Sequence, residues 1–483
     1  MNLHKINFGT DGWRAIIAQD FTFDNVALVS AAIAKYLDDV YPIEKPALIS
    51  YDPRFLADKF ALHAARVINS FGRAVLIVDR DTPTPVIAHA AKNLNSAGAL
   101  QFTASHNPSE YCGLKYIPDF AGPADNRITD QIKSYVDKLA KENYSFEAYS
   151  PEKCLEINTQ IKYFSPREAY LKELEKLIDL NAIEKAKLRI GVDSICGAGR
   201  GYLNKIIDCK VVLGQERDPL FRGMLPEPTT KTLAELIQLI KEQKLDIGLS
   251  NDGDADRFAI LDSTGLLYTP NQILAILAKY LYEKRELKGS IVRTVATSHI
   301  LDKLAEKLGL EIVETPVGFK YVSEVMRNQD VLIGGEESGG LSIIGHIPEK
   351  DGILACLLAC EAIAVTGKSL SELWQEIIDF TEIETFCKRL DLHLTQEIKE
   401  KIVNDLKTKT PTEFADKKVI HVNKKDGIKL ILEDNTWVLI RPSGTEPLLR
   451  IYLEAYSQND LNRLEIYAEK VFCGGEKALA GAH

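Results

Sequence analysis

Residues 46–79, PALISYDPRFLADKFALHAARVINSFGRAVLIVD, contain one complete strand–helix–strand unit. The apolar run 46–51 predicts a buried strand, 60–72 has the spacing of a helix and ends on glycine, and 73–79 predicts a second strand. A further strand is predicted at 97–105. Buried strands separated by helices indicate βαβ units in a mainly parallel sheet, and such sheets bind ligands at the carboxyl ends of their strands. Three polar residues fall at such ends: Asp52, Asp79 and Ser105.

The same alternation of strand and helix patterns returns twice further along the chain. The second round contains KLRIGVDSI (187–195), TLAELIQLIKEQ (232–243) and LDIGLS (245–250), and the third begins at NQILAILAKYLYEK (271–284). These rounds predict three related α/β domains. The last hundred or so residues instead show short strands with turn signals and then a helix, which predicts a C-terminal α+β domain. The predicted boundaries are 1–150, 151–265, 266–375 and 376–483.

The composition limits the kinds of partner that this protein takes. The chain has 483 residues, is 45% hydrophobic and carries a net charge of −10. Because nucleic-acid binders are more often basic, we expect no nucleic-acid partner. Apolar runs stay short of the ~18 residues that a membrane span needs, and the N-terminus lacks a signal-peptide core, so we expect no membrane association. Eight cysteines without a CxxC pair fit a reducing compartment, which predicts a cytoplasmic protein of unknown oligomeric state.

The stretch LSNDGDADR (249–257), here called the aspartate loop, predicts a metal site directly after a strand. Asp252, Asp254 and Asp256 alternate there, and three carboxylates this close repel each other unless a hard divalent cation offsets their charge. An EF-hand is excluded because its sixth and twelfth positions would be Arg257 and Ser263 instead of Gly and Glu. Three carboxylates leave the six-ligand shell of magnesium incomplete, and a phosphate oxygen would supply a further ligand. Arg257 would bind that phosphate or form an ion pair with a neighbouring aspartate.

Two further loops carry groups that suit a phosphorylated sugar. RPSGTEP (441–447) follows a predicted strand and is either an anion nest or an ordinary turn; its candidate ligands are Arg441, Ser443, Gly444 and Thr445. GGEESGG (334–340), here called the glycine-rich loop, combines carboxylates with a serine, a set that suits vicinal hydroxyls. By itself this second loop is equally compatible with a mobile segment.

The serine loop, TASHNP (103–108), has no clear role when it is considered alone. Serine is a weak nucleophile without a base, and the adjacency of His106 in sequence does not make a catalytic pair. A Ser–His pair in a loop is more often structural than catalytic. The aspartate loop changes this interpretation, because its incomplete shell calls for a phosphate.

Together these motifs resemble the α-D-phosphohexomutase family, in order and over nearly the whole chain. TASHNP is similar to the family's phosphoserine loop, DGDADR to its magnesium loop, GEESGG to its sugar-recognition loop and RPSGTEP to its phosphate-binding loop. The opening FGTDGWR (8–14) is also similar to the family's start. The resemblance implies three α/β domains and an α+β domain around a central cleft.

The resemblance also implies a mechanism and a set of site residues. Phosphorylated Ser105 would give its phosphoryl group to a hexose monophosphate, and the resulting hexose 1,6-bisphosphate (glucose 1,6-bisphosphate as the activating intermediate) would turn and return its other phosphate. Mg²⁺ would be held by the Ser105 phosphate and the three aspartates. Lys115 would be the general acid/base, with its pKa lowered beside the cation and Arg14, or only a charge that neutralises phosphate. His106 would orient the loop or contact phosphate. The expected substrate ligands are Glu336 and Ser338 for sugar hydroxyls, and Arg257, Lys320, Arg441, Ser443, Gly444 and Thr445 for phosphate.

The preferred hexose is less strongly specified than the reaction. TPVGFKYV (315–322) and GEESGG are more similar to the glucose-phosphate branch than to the phosphoglucosamine branch. We therefore expect a phosphoglucomutase, with a phosphomannomutase or phosphoglucosamine mutase as the alternative. A non-catalytic sugar-phosphate sensor is the alternative from a different class, and the presence of Ser105, Lys115 and the three aspartates argues against it.

Overall fold

The computed structural model describes residues 6, 12–142, 161–408, 410–442 and 448–472, which form two compact units. One unit comprises the described residues within Met1–Gly289 and Phe319–Trp374, and the other those within Ser290–Gly318 and Gln375–His483. Among the described residues no single helix is long and apolar enough to cross a membrane, and two helices, Gly352–Thr366 and Leu370–Thr381, meet that test only as a sharply bent pair.

The first sheet of the first unit has six strands in the order β1-β5-β4-β2-β3-β6. The strands are β1 (Trp13–Ile16), β2 (Ala47–Tyr51), β3 (Val75–Val78), β4 (Ala99–Phe102), β5 (Tyr111–Ile117) and β6 (Ile161–Phe164). The helices of this part of the chain are α1 (Phe23–Val40), α2 (Ala57–Ser70), α3 (Thr84–Asn93) and α4 (Asn126–Lys141). Strands β2, β3, β4 and β6 pair in parallel, whereas β5 is antiparallel to both β4 and β1. This sheet is therefore mixed, and it takes in β6, which lies beyond the predicted boundary at 150.

The second sheet of this unit has the order β11-β10-β9-β7-β8. Its strands are β7 (Ile190–Asp193), β8 (Val211–Leu213), β9 (Ile247–Asn251), β10 (Phe258–Asp262) and β11 (Leu267–Tyr268). The helices are α5 (Arg167–Leu177), α6 (Leu180–Ala186), α7 (Leu203–Ile206) and α8 (Ala234–Gln243). Strand β7 is parallel to β8 and β9, and β10 returns antiparallel to β9. The aspartate loop is the turn between β9 and β10.

The third α/β round is described in two parts. The first unit contains the antiparallel pair β14 (Val331–Gly335) and β15 (Leu341–Ile343), with α9 (Pro270–Glu283), α11 (Phe319–Asn328) and α12 (Gly352–Thr366). The second unit contains the parallel pair β12 (Ser290–Thr294) and β13 (Ile312–Thr315), with α10 (Ile300–Leu308) between them in sequence. Helix α13 (Leu370–Thr381) follows α12 in the chain.

The C-terminal part of the second unit is an antiparallel sheet with the strand order β16-β21-β20-β19-β18-β17. Its elements are β16 (Phe386–His393), α14 (Gln396–Thr408), β17 (Glu413–Phe414), β18 (Lys417–Asn423), β19 (Ile428–Leu432), β20 (Trp437–Pro442), β21 (Leu448–Ala455) and α15 (Gln458–Phe472). Apolar residues of β19, β20 and β21 pack with Leu461 and Leu464 of α15 to form its core. The predicted three α/β domains and C-terminal α+β domain are thus confirmed as a fold class.

A buried lysine lies in the second unit between residues that follow β12 and the C-terminal sheet. The Lys429 Nζ donates to the Val295 carbonyl at 2.8 Å, lies 2.8 Å from the His299 Nε2 and stands 3.7 Å above the Trp437 ring. Burial, and then the charge of Arg293, lowers the pKa of Lys429 from 10.5 to about 7. The folded protein therefore holds this amine neutral at alkaline pH, although the unfolded chain still protonates it there.

We expect the free energy of unfolding to rise with pH between 7 and 10.5, the folded and unfolded pKa values of Lys429. Within that window the unfolded state binds the extra proton, so this group adds stability by about 1 kcal/mol per pH unit, and the added stability is lost as pH falls towards 7. Urea denaturation of wild-type and Lys429→Met protein at several pH values measures the difference. Lys424→Met, at an exposed position, is the control and should follow the wild type. Parallel profiles for wild type and Lys429→Met would contradict the assignment.

Candidate active site

Ser105 lies beyond the carboxyl end of β4, buried and with its hydroxyl directed at the aspartate loop. Its backbone has a left-handed φ of 50° and its exposed fraction is 2%. The Oγ donates to the Asp252 Oδ2 at 2.8 Å, and the His106 Nδ1 is 3.4 Å away. The Ser105 N–H donates to the Thr103 hydroxyl at 2.8 Å, which fixes the turn locally. The motif that was ambiguous by itself is therefore in contact with the predicted metal ligands.

Arg54, which sequence reasoning missed, holds the serine loop in this conformation. Its guanidinium is fully buried and donates to four backbone carbonyls, those of Ser105, Asn107, Pro108 and Tyr111, at 2.6–2.9 Å. Its Nε pairs with the Asp52 Oδ2 at 3.0 Å, and that carboxylate also accepts from Thr103 at 2.7 Å. Asp52 and Arg54 follow β2, so the parallel register of β2 and β4 brings them to the serine loop. The only sequence signal was the polar DPR at the strand end.

Replacing Arg54 with lysine should destabilise the protein and slow turnover together. One ammonium cannot reproduce the planar set of donors, and carbonyls left unpaired in a buried place cost about 1–3 kcal/mol each. We expect a loss of about 3–5 kcal/mol in the free energy of unfolding. Chemical denaturation and steady-state kinetics measure the two effects. Arg127→Lys, at a side chain that is 87% exposed, is the matched control, and equal stability of the two variants would argue against this role.

The aspartate loop places three carboxylates close together in a buried site. Asp252 and Asp254 have no exposed surface and Asp256 has 1%, and one ligand oxygen from each lies within 4.8 Å of the others. Burial, and then the charges of Asp254 and Asp256, raises the pKa of Asp252 well above its usual value. The Oδ1 atoms of Asp254 and Asp256 are buried without a hydrogen-bond partner among the described residues. Buried, mutually repelling oxygens with unused lone pairs fit a divalent cation such as Mg²⁺.

Gly253 allows the aspartate loop and the serine loop to meet backbone to backbone. A Cβ at this position would lie 2.6 Å from the Ser105 carbonyl oxygen and 3.1 Å from the Pro226 Cβ. The Gly253 N–H donates to the Pro226 carbonyl at 3.0 Å, and its own carbonyl accepts from the Ala198 N–H at 2.8 Å. The glycine in DGDADR is therefore required by close approach.

Two lysines border the carboxylates. Lys115, on β5, places its Nζ 3.0 Å from the Asp254 Oδ2 and 3.1 Å from the Asp256 Oδ2. Lys350, which sequence reasoning missed, places its Nζ 3.1 Å from the Asp256 Oδ2. Burial by itself would raise the pKa of Asp256, but these two ammonium groups hold it below its usual value.

The protein groups around Lys115 do not by themselves lower its pKa. Burial acts in that direction, but the adjacent carboxylates of Asp254 and Asp256 outweigh it and raise the pKa of Lys115 above its usual value. Arg14, the residue expected to lower this pKa, contributes less than the two aspartates.

The protein groups around His106 disfavour its protonated form. Burial, and then the positive charges of Arg257 and Arg14, lowers the pKa of His106 well below its usual value. Arg14, on β1, donates from its Nη1 to the Asn107 Oδ1 at 2.7 Å, which brings its charge to the serine loop. A weakly basic imidazole fits the prediction that His106 orients the loop or contacts phosphate and does not act as a base.

The glycine-rich loop lies against the end of the aspartate loop. The Gly339 carbonyl accepts from the Phe258 N–H at 3.0 Å, and Glu336, 5% exposed, closes its own turn by donating from its N–H to the Gly340 carbonyl at 3.0 Å. Ser338 is half-buried in the same turn. A Cβ on Gly340 would lie 2.3 Å from the Lys350 Cδ, so this glycine leaves room for the lysine stem.

Arg257 is the last residue of the aspartate loop, and its guanidinium pairs with a carboxylate other than the neighbouring aspartates. Its Nη1 is 3.7 Å from the Glu227 Oε1, while its backbone N–H donates to the Asp252 Oδ1 at 3.0 Å. Burial acts to lower the pKa of Arg257, but the charges of Asp252 and then Asp256 raise it above its usual value, with smaller contributions from Glu227 and Glu336. The guanidinium therefore remains charged next to the site.

Lys320 and Arg441, two further predicted ligands, each hydrogen-bond a residue outside these loops. Lys320, near the start of α11, is 5% exposed and donates from its Nζ to the Asn126 Oδ1 at 2.6 Å. Arg441 belongs to the second unit, where its Nε donates to the Asp426 Oδ2 at 2.8 Å. Three predicted ligands lie outside the described residues: Ser443, Gly444 and Thr445.

A buried serine facing a metal-competent carboxylate cluster, bordered by lysines and arginines, defines a site of the phosphotransferase class. Comparison with known families agrees with that class. Models of phosphoglucomutase/phosphomannomutase α/β/α domains I, II and III match residues 5–143, 168–265 and 269–380, and the model of the C-terminal domain of that family matches 397–467.

Individual relatives extend over almost the whole chain. A phosphoglucomutase from Komagataeibacter xylinus is 31% identical, over 94% of this chain and 88% of its own length. A phosphoglucosamine mutase from Carboxydothermus hydrogenoformans is 32% identical, over 92% and 94%. The crystal structure of a protein provisionally named a phosphomannomutase, from Thermus thermophilus, superposes with a TM-score of 0.84 at 31% identity, over 97% of this chain and 99% of that one. The chain belongs to the phosphoglucomutase/phosphomannomutase family and is an intramolecular phosphotransferase acting within hexose phosphate metabolism.

Proposed function

We propose that this enzyme interconverts hexose 1-phosphate and hexose 6-phosphate, with glucose as the preferred sugar, through a phosphorylated Ser105 and a hexose 1,6-bisphosphate. The observation that supports this most strongly is the Ser105 hydroxyl 2.8 Å from Asp252, within a buried cluster of three carboxylates. A phosphoryl group on this oxygen would lie directly against that cluster and would add an oxygen ligand to its cation. Family membership supplies the reaction class.

The residues have separate tasks in this reaction. The bond between phosphorus and the Ser105 Oγ breaks while a bond between phosphorus and the oxygen of the free sugar hydroxyl forms. The sugar hydroxyl loses one proton in this step, and the serine oxygen gains one. We assign Lys115 to both proton transfers: its ammonium, 3.0 Å from Asp254, would donate to the departing serine oxygen, and the amine so formed would take the proton of the sugar hydroxyl. Asp252, Asp254 and Asp256, with the Ser105 phosphate, would hold Mg²⁺, which supplies positive charge to the transferring phosphoryl group when bound. Arg257 and Lys320 would bind phosphate, and Glu336 and Ser338 would bind sugar hydroxyls.

After the first transfer, the bisphosphate must turn end for end so that its other phosphate reaches Ser105. Such a turn requires a second anion site, and Arg441 with Ser443, Gly444 and Thr445 is the set that we assign to it. Glucose 1,6-bisphosphate is accordingly expected to act as the activator that charges Ser105 in protein purified without its phosphate.

A panel of four substrates tests the sugar preference. The 1-phosphates of glucose, mannose, glucosamine and N-acetylglucosamine are each assayed with the matching 1,6-bisphosphate. We expect the highest kcat/KM for glucose 1-phosphate, because TPVGFKYV and GEESGG are most similar to that branch. An equal or higher kcat/KM with glucosamine 1-phosphate would overturn the choice of sugar and leave the reaction class intact.

A further inference from the structure

Asn126 holds the amine of Lys320 across a long sequence separation. The Lys320 Nζ donates to the Asn126 Oδ1 at 2.6 Å, and the two residues are 194 positions apart. Asn126 is the first residue of α4, which follows the six-stranded sheet, and Lys320 is the second residue of α11. Lys320 is 5% exposed, so the contact is made by a largely buried ammonium.

The residues packed around this contact fix the distance between α4 and α11. Residues between β5 and α4 pack on α11: the Arg327 guanidinium lies 4.0 Å above the Phe120 ring, and a Cβ on Gly122 would lie 2.4 Å from the Ser323 Oγ. Asp125, and not Asn126, caps α4, since its carboxylate accepts from the Ile128 N–H at 3.0 Å. The Asn126 amide is therefore not needed to begin the helix, and its position opposite Lys320 calls for another explanation.

The chemistry of the partner supplies that explanation. An amide oxygen accepts a hydrogen bond without neutralising the ammonium, whereas a carboxylate would cancel its charge and compete with an incoming anion. A site that binds phosphate gains by keeping the lysine oriented and still electrostatically attractive. We propose that Asn126 is a positioning residue that holds Lys320 ready for the phosphate of the substrate. This inference rests on the proposed function, in which Lys320 binds phosphate.

The test replaces the amide with a carboxylate of nearly the same shape. In Asn126→Asp, the new charge should pair with Lys320 and raise KM for glucose 6-phosphate by about tenfold, with the larger part of the loss in KM and the smaller part in kcat. Folding should be retained, because aspartate is favourable in the first turn of a helix. Gln131→Glu adds the same charge five residues further along α4 and should leave KM unchanged. A rise in thermal stability of Asn126→Asp without a change in KM would overturn the inference and leave Asn126 a purely structural residue.

A second variant separates this inference from the function on which it rests. Lys320→Met should raise KM by at least as much as Asn126→Asp, and combining the two changes should add little, since both act on one contact. If Lys320→Met leaves KM unchanged, the assignment of Lys320 to substrate phosphate fails. If Lys320→Met raises KM and Asn126→Asp does not, the proposed function stands and the role of Asn126 is wrong.

Discussion

Ser105→Ala is expected to remove both the covalent phosphate proposed for this enzyme and its turnover. The hydroxyl is the only atom of Ser105 that donates to Asp252, and no neighbouring described hydroxyl shares that contact. Because the proposed reaction depends on a covalent intermediate, we expect a residual rate below about 10⁻³ of the wild-type rate. Intact mass after incubation with glucose 1,6-bisphosphate, together with a coupled mutase assay, measures both losses.

Ser109→Ala is the matched control for this experiment. Ser109 lies just after the serine loop and is partly exposed, so removing its hydroxyl should leave the phosphate and the rate near wild type. The folded state of Ser105→Ala should also be preserved, because Arg54 binds the Ser105 carbonyl and not its side chain. Full mutase activity in Ser105→Ala would exclude the phosphoserine mechanism.

Removing the divalent cation with a chelator is expected to stop turnover, and adding the cation back should restore it. Asp254→Asn should slow turnover strongly, and added cation should not restore the rate. The Asp254 Oδ1 is a buried oxygen without a hydrogen-bond partner among the described residues, while its Oδ2 accepts from Thr84 at 2.6 Å and Lys115 at 3.0 Å. Losing one charged ligand removes part of the charge that would stabilise the phosphoryl transfer, and we expect a loss of about 10³-fold in kcat. Asp208→Asn, at an exposed position of the same part of the chain, changes the net charge equally and should remain active.

Thermal stability provides a readout of this site that does not depend on activity. Mg²⁺ binding to the folded protein should raise the melting temperature of the wild type as its concentration increases, and the gain should be smaller in Asp254→Asn. In excess chelator, Asp254→Asn should have the higher melting temperature of the two proteins. The variant has one less charge in a cluster where carboxylates repel each other. Unchanged rates in excess chelator would remove the metal assignment for Asp252, Asp254 and Asp256.

The regular elements were predictable from periodicity because buried strands and helices place apolar residues at fixed intervals. The strand–helix–strand pattern of residues 46–79 appears as β2, α2 and β3. Strand β5, YCGLKYI, gave no such signal, because it contains a glycine and a lysine. Both residues make contacts with loops outside the strand. A Cβ on Gly113 would lie 2.4 Å from the Thr103 carbonyl oxygen, and Lys115 reaches the aspartate loop.

The site was predictable where chemistry was concentrated in one short motif and unpredictable where it was assembled from distant residues. The alternating aspartates predicted, by their repulsion alone, a cluster that could hold a metal ion, and the structure brings their oxygens together. Arg54 carries only the weak signal of the polar DPR at a strand end, and Lys350 carries none. Their main partners are carbonyls and a carboxylate roughly 50 and 90 residues away in sequence, which only tertiary packing brings near. The effect of the protein groups on the pKa of Lys115 could not be predicted from the sequence for the same reason. Its direction depends on which of several nearby charges the side chain touches, and only the distances to Asp254 and Asp256 decide that.

The backbone contact at Gly253 has a consequence for anyone who would transplant this site. A side chain at residue 253 would push against the Ser105 carbonyl, an atom fixed by Arg54, so the two loops would separate and the serine oxygen would withdraw from Asp252. A mutational scan should therefore rank this position among the least replaceable, although it has no side chain to take part in chemistry. A designer who copied every functional group onto another scaffold would still fail without a residue that lacks a Cβ at this position. A transplanted site therefore needs the free space between residue 253 and the Ser105 carbonyl as much as it needs the functional groups.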